Sequence, residues 1–463
     1  MKRILIIGAG WAGLAAAIHV TQSGHHATVL EAARAIGGRA RALNVMLPGG
    51  QEATLDNGQH ILIGAYVETL RLMQTVGVDA EKCLLRMPLS LRYPDGSGLQ
   101  LPSWKQPWFA GVDVATGILR AKGWNWRDKL SLLRAADAWR RSNFTCAASH
   151  TVAALCKGIS TRVTADMIDP LVVSALNTPT DRASGQVFLR VLRDSLFTSS
   201  NAGPGSNLLL PRVDLGQLFP TAAWDWLRKQ GADLHAGMRL QSLQAVPAAD
   251  TQSLSKSELL AHTPQWQSAD LPVETASFNA VIIATPAVEA ARIVRACLPG
   301  ENTAPTKQWL THADGLQYEA ITTVYAHSPQ AKLAEPMLAL RNNPQEPAQF
   351  VFDRGQLTGH AGLLAFVVSA SSGDAAVLEQ QVIQQGRVQL KLPKLQALKT
   401  IKDKRATFAC TPALQRPAMH VAPGLLACGD YVDGPYPSTL EAAVRSGLAA
   451  AQSATAVKNM TQG

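Results

Sequence analysis

Apolar positions along this chain come mostly in short blocks. Residues 3–7 (RILII) end at Gly8 and read as a buried strand, because a parallel strand covered on both faces is apolar throughout. Residues 11–23 (WAGLAAAIHVTQS) are rich in helix-favouring alanine, and Gly24 is placed to stop the helix. Residues 26–31 (HATVLE) are a second β-branched, apolar run. Strand, helix and strand in that order predict a βαβ unit. Further strands are expected over 279–286 (NAVIIATP), 361–370 (AGLLAFVVSA) and 424–430 (GLLACGD), with a turn over 341–349. Helices are expected from Asp374 and over 438–452. Residues 248–276 are polar and Ser/Thr-rich, the pattern of a long hairpin insertion or loop. No internal repeat occurs.

Lys2 and Arg3 before the run to Ala17 also have the look of a secretory signal peptide. Glycines at 8, 10 and 13 argue against it. They spell G-x-G-x-x-G directly after one strand and at the start of a helix. Each has a physical task. Gly8 makes the tight turn, Gly10 lets backbone N–H groups approach a pyrophosphate, and Gly13 lets the helix pack close to the sheet. The helix N-terminus offers unpaired donors and partial positive charge to phosphates. Glu31, ending the next strand, can accept the hydroxyls of an adenosine ribose. Gly37-Gly38-Arg39 follows closely, and the Arg39 fork suits phosphate oxygens. The fingerprint alone does not separate NAD from FAD.

Composition adds limits. The 463 residues are 47% apolar and 17% charged, which excludes a disordered or fibrous chain and predicts two or three domains. Net charge is +9, compatible with nucleic acid, an anionic membrane or a phosphate-bearing ligand. The six cysteines form no C-x-x-C pair, and no His cluster has zinc-ligand spacing, so buried thiols in a reducing compartment and no metal are expected. No stretch of about 18 uncharged apolar residues suggests a transmembrane helix. Five of the ten tryptophans lie between 104 and 139 (Trp104, Trp108, Trp124, Trp126, Trp139), among Lys105, Arg120, Lys122, Arg127 and Lys129. Two readings stand for this stretch: a helical substrate domain, or a patch that meets lipid headgroups.

With GAGWAGLAAAIHV and VLEAARAIGGRA on the page, the chain resembles the flavin-containing amine oxidase and phytoene desaturase superfamily. Residues 56–66 (DNGQHILIGAY), 281–286 (VIIATP) and 429–447 (GDYVDGPYPSTLEAAVRSG) extend the resemblance over nearly the whole chain. DNGQHILIGAY together with PRVDLGQLF at 211–219 is similar to one bacterial family within it, the hydroxysqualene dehydroxylases of squalene and hopanoid synthesis.

That resemblance implies an α/β fold. A Rossmann-type FAD-binding domain of the glutathione reductase kind (residues 1–85, 213–290 and 405–463) would carry an inserted α+β substrate domain (86–212 and 291–404). It implies FAD, held through Gly8, Gly10, Trp11, Ala12 and Gly13 at the first turn and through Glu31 and Ala32 after the second strand. Gly37, Gly38, Arg39 and Gly58 would follow, with Gly429, Asp430, Thr439 and Leu440 in the second flavin motif and Asp430 on the ribityl chain. Ser438 with Glu441 reads as a capping box, whose helix would turn its positive end to the flavin. The substrate implied is a long-chain isoprenoid losing a hydroxyl by reduction. Asp56, His60 and Asp214 are the candidates for the acid this needs. Residues 171–197 and the Trp-rich stretch would supply a long apolar pocket. A carotenoid desaturase and, further off, an amine oxidase with Tyr431 and Tyr436 by the flavin are the alternatives. No second G-x-G-x-x-G is present, so no dedicated NAD(P)H domain is expected and the electron donor stays open. Nothing points to a nucleic-acid partner. A cytoplasmic enzyme, peripheral at the inner face of the cytoplasmic membrane, fits the substrate.

Overall fold

The computed structural model describes residues 1–456 except 49, 51, 104–109, 198, 201–202, 247–264, 272–276 and 299–302. The first apolar block is strand β1 (Arg3–Ile7), followed by helix α1 (Trp11–Gln22) and strand β2 (His26–Glu31). Ile4–Ala17, the run that resembled a leader, is thus the centre of a core: Ile4, Leu5, Ile6, Ala15, Ala16 and Ala17 are fully buried.

β1 and β2 lie side by side in a six-stranded sheet. Its order is Asp233–Ala236, β2, β1, Ala280–Ile283, Leu425–Ala427 and His420–Ala422. The first five strands are parallel and the last is antiparallel. The sheet therefore draws on three separated stretches of chain. The C-terminal helix Leu440–Thr455 packs across α1. Small residues permit the contact, since a Cβ on Gly447 would stand 2.1 Å from the Ala12 carbonyl oxygen. Lys2 Nζ donates to the carbonyls of Ala454, Thr455 and Ala456, satisfying acceptors that a helix C-terminus leaves over.

A second sheet is antiparallel, ordered Met337–Ala339, Phe350–Asp353, Leu363–Ser369, Tyr318–His327 and Gln396–Phe408. Side chains alternate across it. Val324, Ala326, Leu364, Phe366 and Val368 face a core shared with helix Ala375–Gln389, while Ile321, Thr323, Val367 and Ser369 face a cavity. Helices Ala110–Arg120, Trp126–Arg141, Asp169–Leu176 and Gly185–Phe197 cover the other side of that cavity. Of the polar insertion expected over 248–276, the described part is residues 265–271: strand Gln265–Gln267, paired with Gln244–Val246 and Ser277–Phe278, and a turn after it. Residues 248–264 and 272–276 lie outside the described residues, as do Trp104, Lys105, Trp108 and Phe109.

Candidate active site

One cavity of about 790 Å³ runs from the C-terminal ends of the parallel strands to the antiparallel sheet. That volume is in the upper part of the ~300–1,000 Å³ typical of ligand sites. Its two ends differ in chemistry.

The first end is main chain. Gly8 has φ +114°, and a Cβ there would stand 2.7 Å from the Ala284 carbonyl oxygen. A Cβ on Gly13 would lie 1.9 Å from the Gly8 carbonyl oxygen, so α1 can approach β1 only with glycine there. A Cβ on Gly10 would meet nothing nearer than Gly38 Cα at 3.9 Å, which leaves room over the helix start. No side chain caps α1 and no acid sits in its first turn, so its N-terminal donors and partial positive charge are open to a ligand. Glu31 is held from both sides: Oε2 accepts from the Ala9 amide and Oε1 from the Ala33 amide, each at 2.8 Å. The Gly37 amide donates to the Ala9 carbonyl at 2.9 Å, pinning the Gly37-Gly38-Arg39 segment beside the first loop.

Arg39 crosses from there to the second flavin-motif segment and pairs with Asp430 at 2.6 Å. Ser438 Oγ donates to the other Asp430 oxygen. Burial alone would raise the Asp430 carboxyl, but Arg39 and Ser438 outweigh it and hold the group below its usual range. The capping box expected at Ser438 and Glu441 is not formed. The helix begins two residues later, and Thr439 is its cap, accepting from the Ala442 amide at 3.1 Å. Ser438 is drawn away by the buried carboxylate. Glu441 is used across the fold, accepting from the Glu68 and Thr69 amides and the Thr69 hydroxyl, and so it caps helix Val67–Thr75 in place of a local residue.

The far end is apolar side chains: Ile118, Trp139, Phe188 and Leu192 from the helices, Phe350 and Phe352 from the sheet. The cavity wall includes Gly8, Gly10, Trp11, Ala12, Glu31, Ala32, Gly37, Gly38, Arg39, Gly58, His60, Gly429, Asp430, Thr439 and Leu440. Gly13, Asp56 and Asp214 are absent from it.

Both aspartates do structural work instead. Asp56 is fully buried, accepts from the Leu215 amide at 2.8 Å, and lies 3.6 Å from the buried Arg354 guanidinium. Desolvation pushes its carboxyl up to about 6, against the pull of Arg354. Asp214 caps helix Leu215–Leu218 through the Gln217 amide. His60 does reach the cavity, and its Nδ1 donates to the Gly58 carbonyl at 2.7 Å. Burial holds its imidazole below the usual value. A neutral ring with its proton on Nδ1 leaves Nε2 as an acceptor, suited to receiving a hydroxyl proton and unsuited to giving one.

The residues 11–455 match the family model described as flavin containing amine oxidoreductase. The chain belongs to that family. It is 24% identical over 464 residues to hydroxysqualene dehydroxylase of Zymomonas mobilis, covering 96% of this chain and 97% of the relative. It is 27% identical over 483 residues to hydroxysqualene dehydroxylase of Rhodopseudomonas palustris, covering 97% of each. A shorter match, 41% over 102 residues, joins 21% of the chain to 19% of hydroxyneurosporene desaturase of Rhodobacter capsulatus. Among solved structures, an oxidoreductase from Methanosarcina mazei superposes with TM-score 0.67 at 15% identity, covering 96% of this chain and 99% of that one. Reduced UDP-galactopyranose mutase superposes with TM-score 0.65 at 15% identity, covering 98% and 93%. These likenesses carry the fold: a mixed α/β flavoenzyme architecture.

The protein is therefore an FAD-dependent oxidoreductase, and the cavity suits that cofactor. Trp11 Nε1, Thr285 Oγ1 and the Tyr431 hydroxyl belong to wall residues, are buried, and find no partner among the described residues. Buried polar atoms without partners are rare unless a ligand or water supplies one. Thr285, two residues past the Ala280–Ile283 strand, and Tyr431, next to Asp430, were not named as cofactor residues by sequence. Strand-end position in a parallel sheet was the signal that could have found Thr285.

Proposed function

We propose that this enzyme reduces hydroxysqualene to squalene in the cytoplasm, at the inner face of the cytoplasmic membrane. The FAD-binding part would be residues 1–85, 213–290 and 405–463, with the cavity-wall residues of the first turn, Glu31, Arg39, Asp430 and Thr439 as its cofactor contacts. The observation that carries this reading is a continuous cavity whose dinucleotide-type end opens into an apolar tunnel. The near-full-length likeness to hydroxysqualene dehydroxylases supports it.

The substrate's allylic C–O bond breaks with its electron pair going to oxygen, which takes up a proton and leaves as water. FAD, when bound and reduced, would supply the two electrons and the hydrogen of the new C–H bond. The chain's part is to bind, orient and dry the site. Ile118, Trp139, Phe188 and Phe352 take the hydrocarbon and exclude water that would recapture the developing cation. His60 Nε2 accepts the hydroxyl hydrogen and so orients it. Tyr431 is a buried wall residue whose phenol is kept protonated by burial, and its hydroxyl, without a partner among the described residues, can donate a hydrogen bond to the substrate oxygen.

An amine oxidase would need open aromatic faces beside the flavin. The Tyr436 ring instead lies within 5.6 Å of the Arg190 guanidinium and 5.7 Å of that of Arg445, and its hydroxyl donates to Asp194. Two cations against that ring disfavour a third. A carotenoid desaturase is the second reading, favoured by the Rhodobacter capsulatus match.

One experiment separates them. The flavin of the purified protein is photoreduced without oxygen, and hydroxysqualene is added. Flavin reoxidation with squalene detected by mass spectrometry is expected. Flavin that stays reduced, together with coloured product from phytoene and the oxidised enzyme, would overturn the proposal in favour of the desaturase.

A further inference from the structure

Five of the eleven exposed large apolar side chains among the described residues fall on three neighbouring helices: Val112, Leu119, Trp126, Leu130 and Phe197. They form connected ground. Lys129 Nζ donates to the Leu119 carbonyl at 2.7 Å and lies 5.5 Å from the Trp126 ring centre, which joins helix Ala110–Arg120 to helix Trp126–Arg141. At the other end, a Cβ on Gly111 would be 3.8 Å from Phe197 Cε1, which joins the first helix to Gly185–Phe197. Val112 and Leu119 are two turns apart and share one face.

The same helices line the tunnel with their inner faces, through Val114 and Ile118, Leu132 and Trp139, Leu192 and Leu196. An amphipathic helix of a closed domain keeps its apolar stripe inside and a polar face outside. These helices also carry exposed apolar side chains on their outer faces, among exposed Arg and Lys. Phe197 is 43% exposed, it lines the cavity, and its ring lies tilted against the buried Phe144 with centroids 5.2 Å apart. Phe197 thus belongs both to the tunnel wall and to the apolar ground.

Charge decides what that ground fits. Arg120, Lys122, Arg127, Arg134 and Arg140 are exposed around it. Of the acids on these helices, Asp113 and Asp128 are buried, Asp137 is paired with Arg141 and Asp194 with Arg190. A second copy of this face would bring like charges together. Exposed Trp and Leu ringed by Arg and Lys match the headgroup layer of an anionic bilayer.

We propose that the outer faces of these three helices dock on an anionic bilayer, and that a lipid-dissolved substrate enters the tunnel past Phe197. The docking face stands on the surface itself, whereas the entry route rests on the proposed isoprenoid substrate.

The test uses the FAD-loaded full chain with vesicles of phosphatidylcholine, with and without phosphatidylglycerol. Sedimentation with the phosphatidylglycerol vesicles is expected, falling in high salt. A Leu119→Ser/Trp126→Ser variant should bind at least about tenfold more weakly. A Lys122→Glu/Arg127→Glu variant should lose the preference for phosphatidylglycerol. Unchanged flavin absorbance and melting temperature would show that both variants are folded. No sedimentation, unaltered affinity in both variants, or equal binding to both vesicle types overturns the docking face. So does a dimer that dissociates in the Leu119→Ser/Trp126→Ser variant, which would assign the face to a second copy. With hydroxysqualene as probe, that variant should turn over detergent-dispersed substrate at the parent rate and vesicle-embedded substrate more slowly. Equal slowing in both settings overturns the entry route. No turnover by the parent in either setting overturns the proposed reaction and leaves the vesicle result standing.

Discussion

The two ends of the cavity are built by different means. At the first turn the wall is backbone, shaped by Gly8, Gly10 and Gly13 within six consecutive residues and braced by Glu31 and Gly37. At the tunnel the wall is side chains, contributed by Ile118, Trp139, Phe188, Phe350 and Phe352 from segments far apart in the chain. A backbone wall tolerates almost no added atom, because main chain cannot turn aside. A side-chain wall can repack, and its loss is graded. The contrast fits a cofactor that is one fixed molecule and a hydrocarbon that needs only an apolar channel.

The largest effect is expected at the backbone end. In Gly13→Val the new side chain would enter the space of the Gly8 carbonyl, where even a Cβ stands 1.9 Å away. A destabilisation above about 4 kcal/mol and colourless protein are expected, measured by melting and by flavin absorbance. Flavin-loaded, normally melting Gly13→Val protein would break the contrast. In Phe188→Ala, a buried tunnel residue is truncated. A loss of about 3 kcal/mol with full flavin content is expected, since the gap opens into an existing cavity remote from the first turn.

This difference also sets how much could be read from the sequence. The turn at Gly8, the helix behind it and Glu31 lie within one short segment, and local rules act there without help from the rest of the fold. The strands at Ala280–Ile283 and Leu425–Ala427 were legible because buried parallel strands are continuously apolar. Asp56 was misread because its use depends on partners distant in sequence. It opens the 56–66 stretch that resembles the superfamily, yet its carboxylate turns to Leu215 and Arg354. Ser438 and Glu441 had the spacing of a capping box, but Asp430 and the helix Val67–Thr75 compete for them and win. Local spacing predicted the outcome where no distant polar group intervened, and failed where one did.

Asp56 offers a pH test of this buried frame behind the site. The native protein holds the Asp56 proton up to about pH 6, while the unfolded chain releases it near 3.8. Between those values the native state binds more protons, so this group's contribution to stability is complete below the lower value and is lost as pH rises through the upper one. Asp56→Asn cannot titrate and keeps an acceptor for Leu215. The stability of Asp56→Asn relative to the parent should therefore rise by about 2 to 3 kcal/mol from about pH 4 to above pH 6, whatever its starting value. A difference that stays flat across that range, measured by urea unfolding, would mean that Asp56 is charged throughout and that Arg354 fully compensates it.

The smallest effect expected is at the start of the C-terminal helix, where the two candidate caps can be told apart. Thr439→Ala removes the acceptor for the Ala442 amide and should cost about 1 kcal/mol. Ser438→Ala removes a donor to Asp430 and leaves the helix cap in place, so helix stability should be unchanged while the Asp430 carboxyl titrates higher. The flavin potential should separate the variants further. An ordered helix start presents partial positive charge to the cavity and favours the more negative, reduced state of the flavin. Fraying in Thr439→Ala should lower the midpoint potential, read by spectroelectrochemistry, with flavin content unchanged. If Ser438→Ala destabilised the helix and Thr439→Ala did not, Ser438 would be the cap after all, and the pull of the buried Asp430 on the serine would be weaker than the pull of the helix.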